Sequence, residues 1–397
     1  MGAATVDQVL RTLAVENYRS LRDLVLPLSP LTVVTGPNGS GKSSLYRALR
    51  LLADASRNGA VAALAREGGL PSTLWAGPET VGRAVREGRT PVQGTVRTKA
   101  VGLRLGFSGD EYGYALDLGF PVPVPGKTMF KLDPEFKREC VWTGPVLRPS
   151  ALVADRGGPA VRTRVASGGW GEDVHKIRPS DSMLSEFADP RACPELLILR
   201  ERIRSWRFYD HFRTDADAPA RQARIGTRTP VLGHDGGDLA AALQTILEIG
   251  NGGGLAEAID HAFPGSRVSA DESDGRFEVR FRQHGLLRPL DAAELSDGTL
   301  RYLLWVAALL TPRPPELLVL NEPETSLHPD LLPALAGLIA TAAKETQLIV
   351  VSHAQPLIRA LDAVADVAAL ELEKEYGETK LQGQGRLDRP SWHWPKR

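Results

Sequence analysis

Two stretches of this 397-residue chain carry residue types spaced for chemistry on phosphate. Gly36-Pro37-Asn38-Gly39-Ser40-Gly41-Lys42-Ser43 reads G-x-x-x-x-G-K-S, the phosphate-binding (Walker A) loop. Its glycines free the backbone to turn N–H groups onto phosphate oxygens. Lys42 has the reach to meet β- and γ-phosphates, and the Ser43 hydroxyl suits Mg²⁺. The second stretch is Glu316-Leu317-Leu318-Val319-Leu320-Asn321-Glu322-Pro323, four apolar residues followed by polar Asn-Glu. That pattern describes a buried parallel strand with its functional end exposed. Glu322 sits where a base would orient water onto a γ-phosphate. Two smaller signals accompany it. Leu295-Ser296-Asp297-Gly298-Thr299 opens an apolar helix, so a hydroxyl, a bare backbone and a helix dipole coincide as an anion site. Ser352-His353 follows the apolar run Gln347–Val351, on the strand edge expected to bear the loop and Glu322. Both have plainer readings, since L-S-x-G is also an ordinary N-cap and a lone histidine is usually structural.

The elements that must position these residues are legible around them. Leu31–Thr35 is a short β-branched run that reads as a buried strand, and Ser44–Ala53 puts Leu45, Ala48, Leu49 and Leu52 on one helical face. Strand, glycine loop and helix in that order are the context the motif requires. Upstream, Val9–Val15 and Leu24–Leu28 read as strands flanking Glu16–Arg22, which makes Tyr18, Arg19 and Ser20 candidates to face a base or ribose, or simply a hairpin loop. Residues 101–118 alternate as a hairpin, and Pro121–Gly126 breaks the pattern as a candidate lobe boundary. Pro194–Trp206 is a helix with Leu196, Leu199, Ile203 and Trp206 on one side and Arg200, Arg202 and Arg204 on the other. Further arginines follow at 207, 213, 221, 224 and 228; they form either a solvated face or a phosphate-backbone contact patch. Helices are expected at 237–249, 255–263 and from Pro329, and hairpins at 268–281 and 367–381. Trp392 and Trp394 in the tail read as packing residues.

Composition narrows the class. The chain is long enough for one bilobed domain or two domains. Charge is balanced, 48 Lys+Arg against 48 Asp+Glu, so whole-molecule electrostatics favours neither nucleic acid nor membrane. Cys140 and Cys193 form no CxxC, so neither a disulfide framework nor a zinc site is expected, which suits a reducing cytoplasm. There is no apolar run of about 18 residues, no signal pattern, no repeat and no sustained heptad.

Glu16–Leu21 with Gly36–Ser43, then Leu295–Gly298, Leu317–Leu327 and His353, resemble in this order the ATP-binding-cassette (ABC) type of ATPase head. The RecF/SMC-like and overcoming-lysogenization-defect-like ATPases, of AAA type, are most similar. The resemblance covers both ends and only loosely the middle. It implies an α/β P-loop NTPase with a mixed central sheet flanked by helices, an antiparallel β subdomain and an inserted α/β second lobe. Residues 1–125 and 312–397 would form lobe I, and 126–311 lobe II, ending in the signature motif and its helix. ATP would lie on Asn38, Gly39, Ser40, Gly41, Lys42, Ser43 and Ser44, with Arg19 and Ser20 nearby. By the same resemblance Ser296 and Gly298 are the signature that completes the site of a second subunit. Glu322 is the Walker B base, Glu324–Leu327 the D-loop and His353 the switch histidine, so that Lys42, Glu322 and His353 make the catalytic set. Mg²⁺ would be met by Ser43 and Asn321. Two ATP molecules would be sandwiched in a head-to-tail homodimer.

Three departures qualify that picture. Asn321 stands where many relatives carry Asp, which keeps a hydrogen bond to metal-bound water but loses the charge, so weaker Mg²⁺ dependence and slow turnover are expected. The Q-loop has only Gln93 as a nearby candidate. No hook arm and no nuclease-like acidic cluster follow. The expected function is an ATP-hydrolysing dimeric switch in DNA repair or phage defence, acting on DNA or a separately encoded effector, away from any membrane. A nucleotide-gated binding module with negligible turnover is the alternative. A transporter motor is disfavoured by the signature sequence and by the long insertion before it.

Overall fold

Four largely apolar runs make the parallel part of the sheet that carries the chemistry. In the computed structural model, which describes residues 9–78, 101–122, 128–165, 168–171, 175–187, 189–385 and 387–396, they lie side by side and parallel. The order is Arg207–Tyr209, Leu317–Asn321, Gln347–Val351 and Leu31–Thr35. Tyr209 stands beside Leu320, Leu320 beside Val350, and Val350 beside Val33. All five residues of Gln347–Val351 are buried, as are the first four of the two longer neighbours, which is why their sequences do not alternate. Because all four run the same way, their C-terminal ends share one edge.

Over the described residues, compact packing gives two units: Pro30–Val34 and Arg207–Ala369 in one; residues 9–29, Thr35–Trp206 and 370–396 in the other. The first holds these strands and a core of Tyr209, Phe212, Leu243, Ile259, Tyr302, Trp305 and Leu335. Helices Leu239–Ile249, Gly252–Ala262, Asp297–Leu309 and Leu332–Ala342 contribute to it. Its hairpin, Arg267–Ser273 with Arg276–Arg282, turns at Asp274-Gly275, both at positive φ, the geometry that the Asp-Gly pair favours.

The second unit is built on an antiparallel sheet in the order Leu21–Pro27, Thr12–Tyr18, Gly102–Ser108, Tyr112–Gly119, Glu135–Thr143, Leu152–Gly157, Ala160–Thr163 and His175–Lys176. The first strand lies three residues later than expected and the second begins three earlier, so the turn between them shrinks to Arg19-Ser20, with Arg19 at φ 51°. Pro121–Gly126, of which residues 123–126 lie outside the described ones, does not end a unit: Tyr112 pairs with Thr143 and the sheet continues across it. The units change at 29/30, 34/35, 206/207 and 369/370, and none of these lies in Pro121–Gly126. Trp392 lies 5.8 Å from Trp142 and 5.2 Å from Trp394, ring centroid to centroid, so the tail tryptophans pack on this sheet. Among the described residues no helix is long and apolar enough to cross a membrane.

Candidate functional site

The glycine loop continues Leu31–Thr35 and leads into helix Lys42–Ala55. Gly36, Gly39 and Gly41 take φ of 141°, 79° and 112°, a region that side chains resist. Two of them also lack room: a Cβ on Gly36 would overlap the Leu372 carbonyl, and one on Gly41 the Thr379 hydroxyl. The helix start has no side-chain cap, so its first N–H groups remain donors. Lys42 is 7% exposed and its ammonium rests on the loop's own carbonyls, 2.5 Å from Gly36 O and 3.0 Å from Pro37 O. The Ser40 hydroxyl is buried without a hydrogen-bond partner among the described residues. Bare left-handed backbone, an uncapped helix and a held ammonium are the donor set that a polyphosphate needs. The exposed Ser43 hydroxyl is the kind of hard oxygen that suits Mg²⁺.

One residue that holds this loop was not apparent from the sequence. Thr379, on strand Glu378–Leu381, is fully buried. Its hydroxyl lies 2.7 Å from Ser40 O and 2.8 Å from Ser20 Oγ, and its N–H donates to Ser20 O at 2.8 Å. A carbonyl only accepts, so the single hydroxyl hydrogen of Thr379 goes to Ser40 and the Ser20 hydroxyl donates in turn. Ser20 is thereby tied to the loop. Arg19 turns elsewhere: its guanidinium meets Glu67 at 2.6 Å, where the buried Tyr18 hydroxyl also donates. Burial first, and the Glu67 carboxylate second, raise the Tyr18 pKa, so it stays a donor.

The residues expected to form the signature and the Walker B end, Ser296, Gly298, Asn321 and Glu322, lie in the other unit. Ser296 is the N-cap of helix Asp297–Leu309, its Oγ accepting from Thr299 N–H at 3.1 Å, and it is exposed. Two arginines fix this segment. Arg221, 8% exposed, donates to Leu295 O and Asp297 Oδ1, both at 2.8 Å, and to Ala292 O at 2.9 Å. Arg301 runs from the helix to Thr325 O at 2.9 Å, Phe212 O at 3.0 Å and Thr214 Oγ1 at 3.1 Å; burial lowers its pKa. A Cβ on Gly298 would sit 3.5 Å from Ser326 O, so this glycine touches the segment after Glu322.

At the end of Leu317–Asn321, Glu322 has φ 49°, rare for a non-glycine, and its N–H donates to Val351 O at 2.7 Å. That turn lifts its side chain off the strand, leaving it 41% exposed. His353 Nδ1 lies 3.5 Å from Glu322 Oε1 and 3.7 Å from Glu324 Oε1. Glu324 is buried, and its Oε1 accepts from Ser352 Oγ at 2.7 Å and His353 N–H at 3.3 Å. One buried carboxylate therefore holds the backbone and ring of His353 beside Glu322. Asn321 donates from Nδ2 to Asp210 Oδ1 at 2.6 Å.

So the structure brings Asn321, Glu322, Glu324, Ser352 and His353 together on one edge, ties Ser296 and Gly298 to the same unit, and binds Ser20 to the loop. It pairs Arg19 with a carboxylate instead. Gln93 lies outside the described residues. The arginine-rich segment is largely occupied internally: Arg202 pairs with Glu111, Arg204 donates to Ser56 O at 3.1 Å, and Arg213 meets Asp215 at 2.6 Å. Asp210, Arg221, Arg301 and Thr379 carried no local motif; their partners lie 24 or more residues away, save for the nearer Thr214 and Asp215 carbonyls under Arg221.

A glycine loop after one strand of a parallel sheet, and Asn-Glu and Ser-His after two others, define a P-loop NTPase of ABC head type. The particular family is AAA_21, described as "AAA domain, putative AbiEii toxin, Type IV TA system", whose model matches residues 31–360; the chain belongs to it. The OLD nuclease of Thermus scotoductus is 50% identical over 44 residues, which are 11% of this chain and 8% of that protein. The likeness thus spans a small part of that relative. Among solved structures, an SmcHead bound to the C-winged helix domain of ScpA matches at TM-score 0.49 and 14% identity, over 94% of this chain and 97% of that one. The SMC head domain from Thermotoga maritima matches at 0.41 and 16%, over the same shares. An Smc head with an extended coiled coil, derived from Pyrococcus furiosus, matches at 0.47 and 12%, over 94% and 95%.

Proposed function

We propose that this chain binds ATP with Mg²⁺ and hydrolyses it slowly as a homodimer that closes on ATP and opens after hydrolysis. The observation that carries the reading is the loop itself: three glycines held at left-handed φ before an uncapped helix, with Lys42 drawn over them. Asn38 to Ser44 hold the phosphates, and Lys42 neutralises the charge that grows on them. Mg²⁺, when bound, screens the same oxygens, with Ser43 and Asn321 as its protein neighbours. Glu322 orients the attacking water and takes its proton, and His353, kept in place by Glu324, contacts the γ-phosphate. Ser296 and Gly298 of one copy cap the nucleotide of the other, for which the exposure of Ser296 is suited. The closing motion would control DNA or a separately encoded effector, in repair or phage defence, within the cytoplasm.

Two variants measured together test this. Lys42→Ala should abolish ATP binding. Glu322→Gln should bind ATP and accumulate as a dimer in light scattering; a monomer at saturating ATP would overturn the switch. A second reading, a nucleotide-gated module that scarcely turns over, is favoured by Asn321. Single-turnover assays separate the two, since phosphate release with DNA or a partner present excludes the second.

A further inference from the structure

Asn321 leaves the Walker B strand without the carboxylate expected at its end, and the neighbouring strand ends in one. Arg207–Tyr209 runs parallel to Leu317–Asn321 with Tyr209 beside Leu320, so Asp210, the first residue past its strand, follows in register with Asn321, the last of its own. Register neighbours in a sheet project to the same face. Here they touch, Asn321 Nδ2 donating to Asp210 Oδ1 at 2.6 Å. We propose that Asp210 returns to this site the negative charge that Asn321 lacks, acting through Asn321 as a positioning residue for Mg²⁺–nucleotide. The inference rests on the nucleotide-site reading above.

The chemistry of the pair is directional. An amide has a donating and an accepting end, whereas a carboxylate only accepts. Asp210 therefore fixes which end of Asn321 it meets: the reverse rotamer would set amide oxygen against carboxylate oxygen. With Nδ2 committed, Oδ1 is the end left to accept from a metal-bound water. Among the described residues the Asp210 carboxylate makes no other hydrogen bond and no ion pair, and the residue is exposed, so its charge is not spent on an internal cation. Amide and carboxylate together carry one negative charge, as a single aspartate would. An aspartate at 321 would instead face the Asp210 carboxylate at hydrogen-bond distance with no proton donor between them, a repulsive pair. Asparagine at 321 and aspartate at 210 are thus a matched set.

The test is a charge exchange, read by nucleotide binding rather than turnover. A fluorescent, slowly hydrolysed ATP analogue is titrated with Mg²⁺ against the full-length chain, Asp210→Asn, Asn321→Asp and the double exchange, with an EDTA arm for metal-free binding. Asp210→Asn should raise the Mg²⁺ concentration at half-saturation about tenfold, the usual scale for removing a partner of a ligand. Asn321→Asp should bring no improvement over the native chain. The double exchange should return to within about twofold of native, because the charge has only moved across the pair. Metal-free binding should persist in all four, which also reports that each is folded. Native-like Mg²⁺ dependence in Asp210→Asn would overturn the inference, as would a double exchange no better than that single variant. In either case metal-free binding persists and the nucleotide site stands. Absence of nucleotide binding in the native chain, with or without metal, would overturn both.

Discussion

The glycine loop and the Asn321–His353 edge are held by opposite means. Around the loop the backbone does the work: glycines adopt angles other residues resist, and one threonine hydroxyl fastens Ser20 and Ser40. Around Glu322 the work falls to long side chains. Arg221 and Arg301 fix the segments around Ser296 and Thr325, Glu324 fixes Ser352 and His353, and Asp210 fixes Asn321. A backbone cradle is written in adjacent residues, so it survives as a motif. A side-chain network needs only complementary partners, so its members can trade places, as proposed above for Asn321 and Asp210.

That contrast predicts different sensitivities. The largest effect is expected for Gly41→Ala. Forcing a side chain to φ 112° costs about 1–3 kcal/mol, and the new methyl displaces Thr379 as well. Nucleotide binding should be lost and the melting temperature should fall by several degrees. A variant that binds ATP normally would refute the idea of a backbone cradle. Arg301→Met comes next. It leaves the Thr325 and Phe212 carbonyls and the Thr214 hydroxyl without their donor, at a cost of about 2–3 kcal/mol. Thermal unfolding would register it, while nucleotide affinity measured on the folded fraction should change less than in Gly41→Ala; the reverse order would erase the distinction between the two regions. Smallest in stability is Ser296, where alanine should cost about 1 kcal/mol through the lost N-cap and aspartate almost nothing. Yet Ser296→Asp sets a negative charge where the partner's phosphates are proposed to dock, so it should abolish ATP-driven dimerisation with the melting temperature intact. Normal dimers from that variant would detach Ser296 from the proposed interface.

Much of the edge was legible because its elements are local. Leu317–Asn321 and Gln347–Val351 fall where uninterrupted apolar runs place them, and the helix after Ser296 begins where its cap does. Less visible were elements too short to show a period. Arg207–Tyr209 has only three residues, and it is a strand because Leu318 to Leu320 pair with it. Without that pairing Asp210 is one more charge in a basic stretch. The same holds for the lobe boundary: a proline-rich segment looks like a division, but the sheet pairs across it and the units change elsewhere. Arg19 looked free to meet a nucleotide because nothing in its neighbourhood announces Glu67, 48 residues on.

The sequence by itself determined the phosphate loop, the order of the motifs and the apolar strands that present them, because these depend on backbone angles and burial over a few adjacent residues. Only the tertiary structure decided who supports them: Thr379 under the loop, Arg301 behind the helix Asp297–Leu309, Glu324 behind His353 and Asp210 beside Asn321. A hydrogen bond between side chains far apart in the chain leaves no spacing to read, and it is specified only once the strands and helices that carry the two partners have packed.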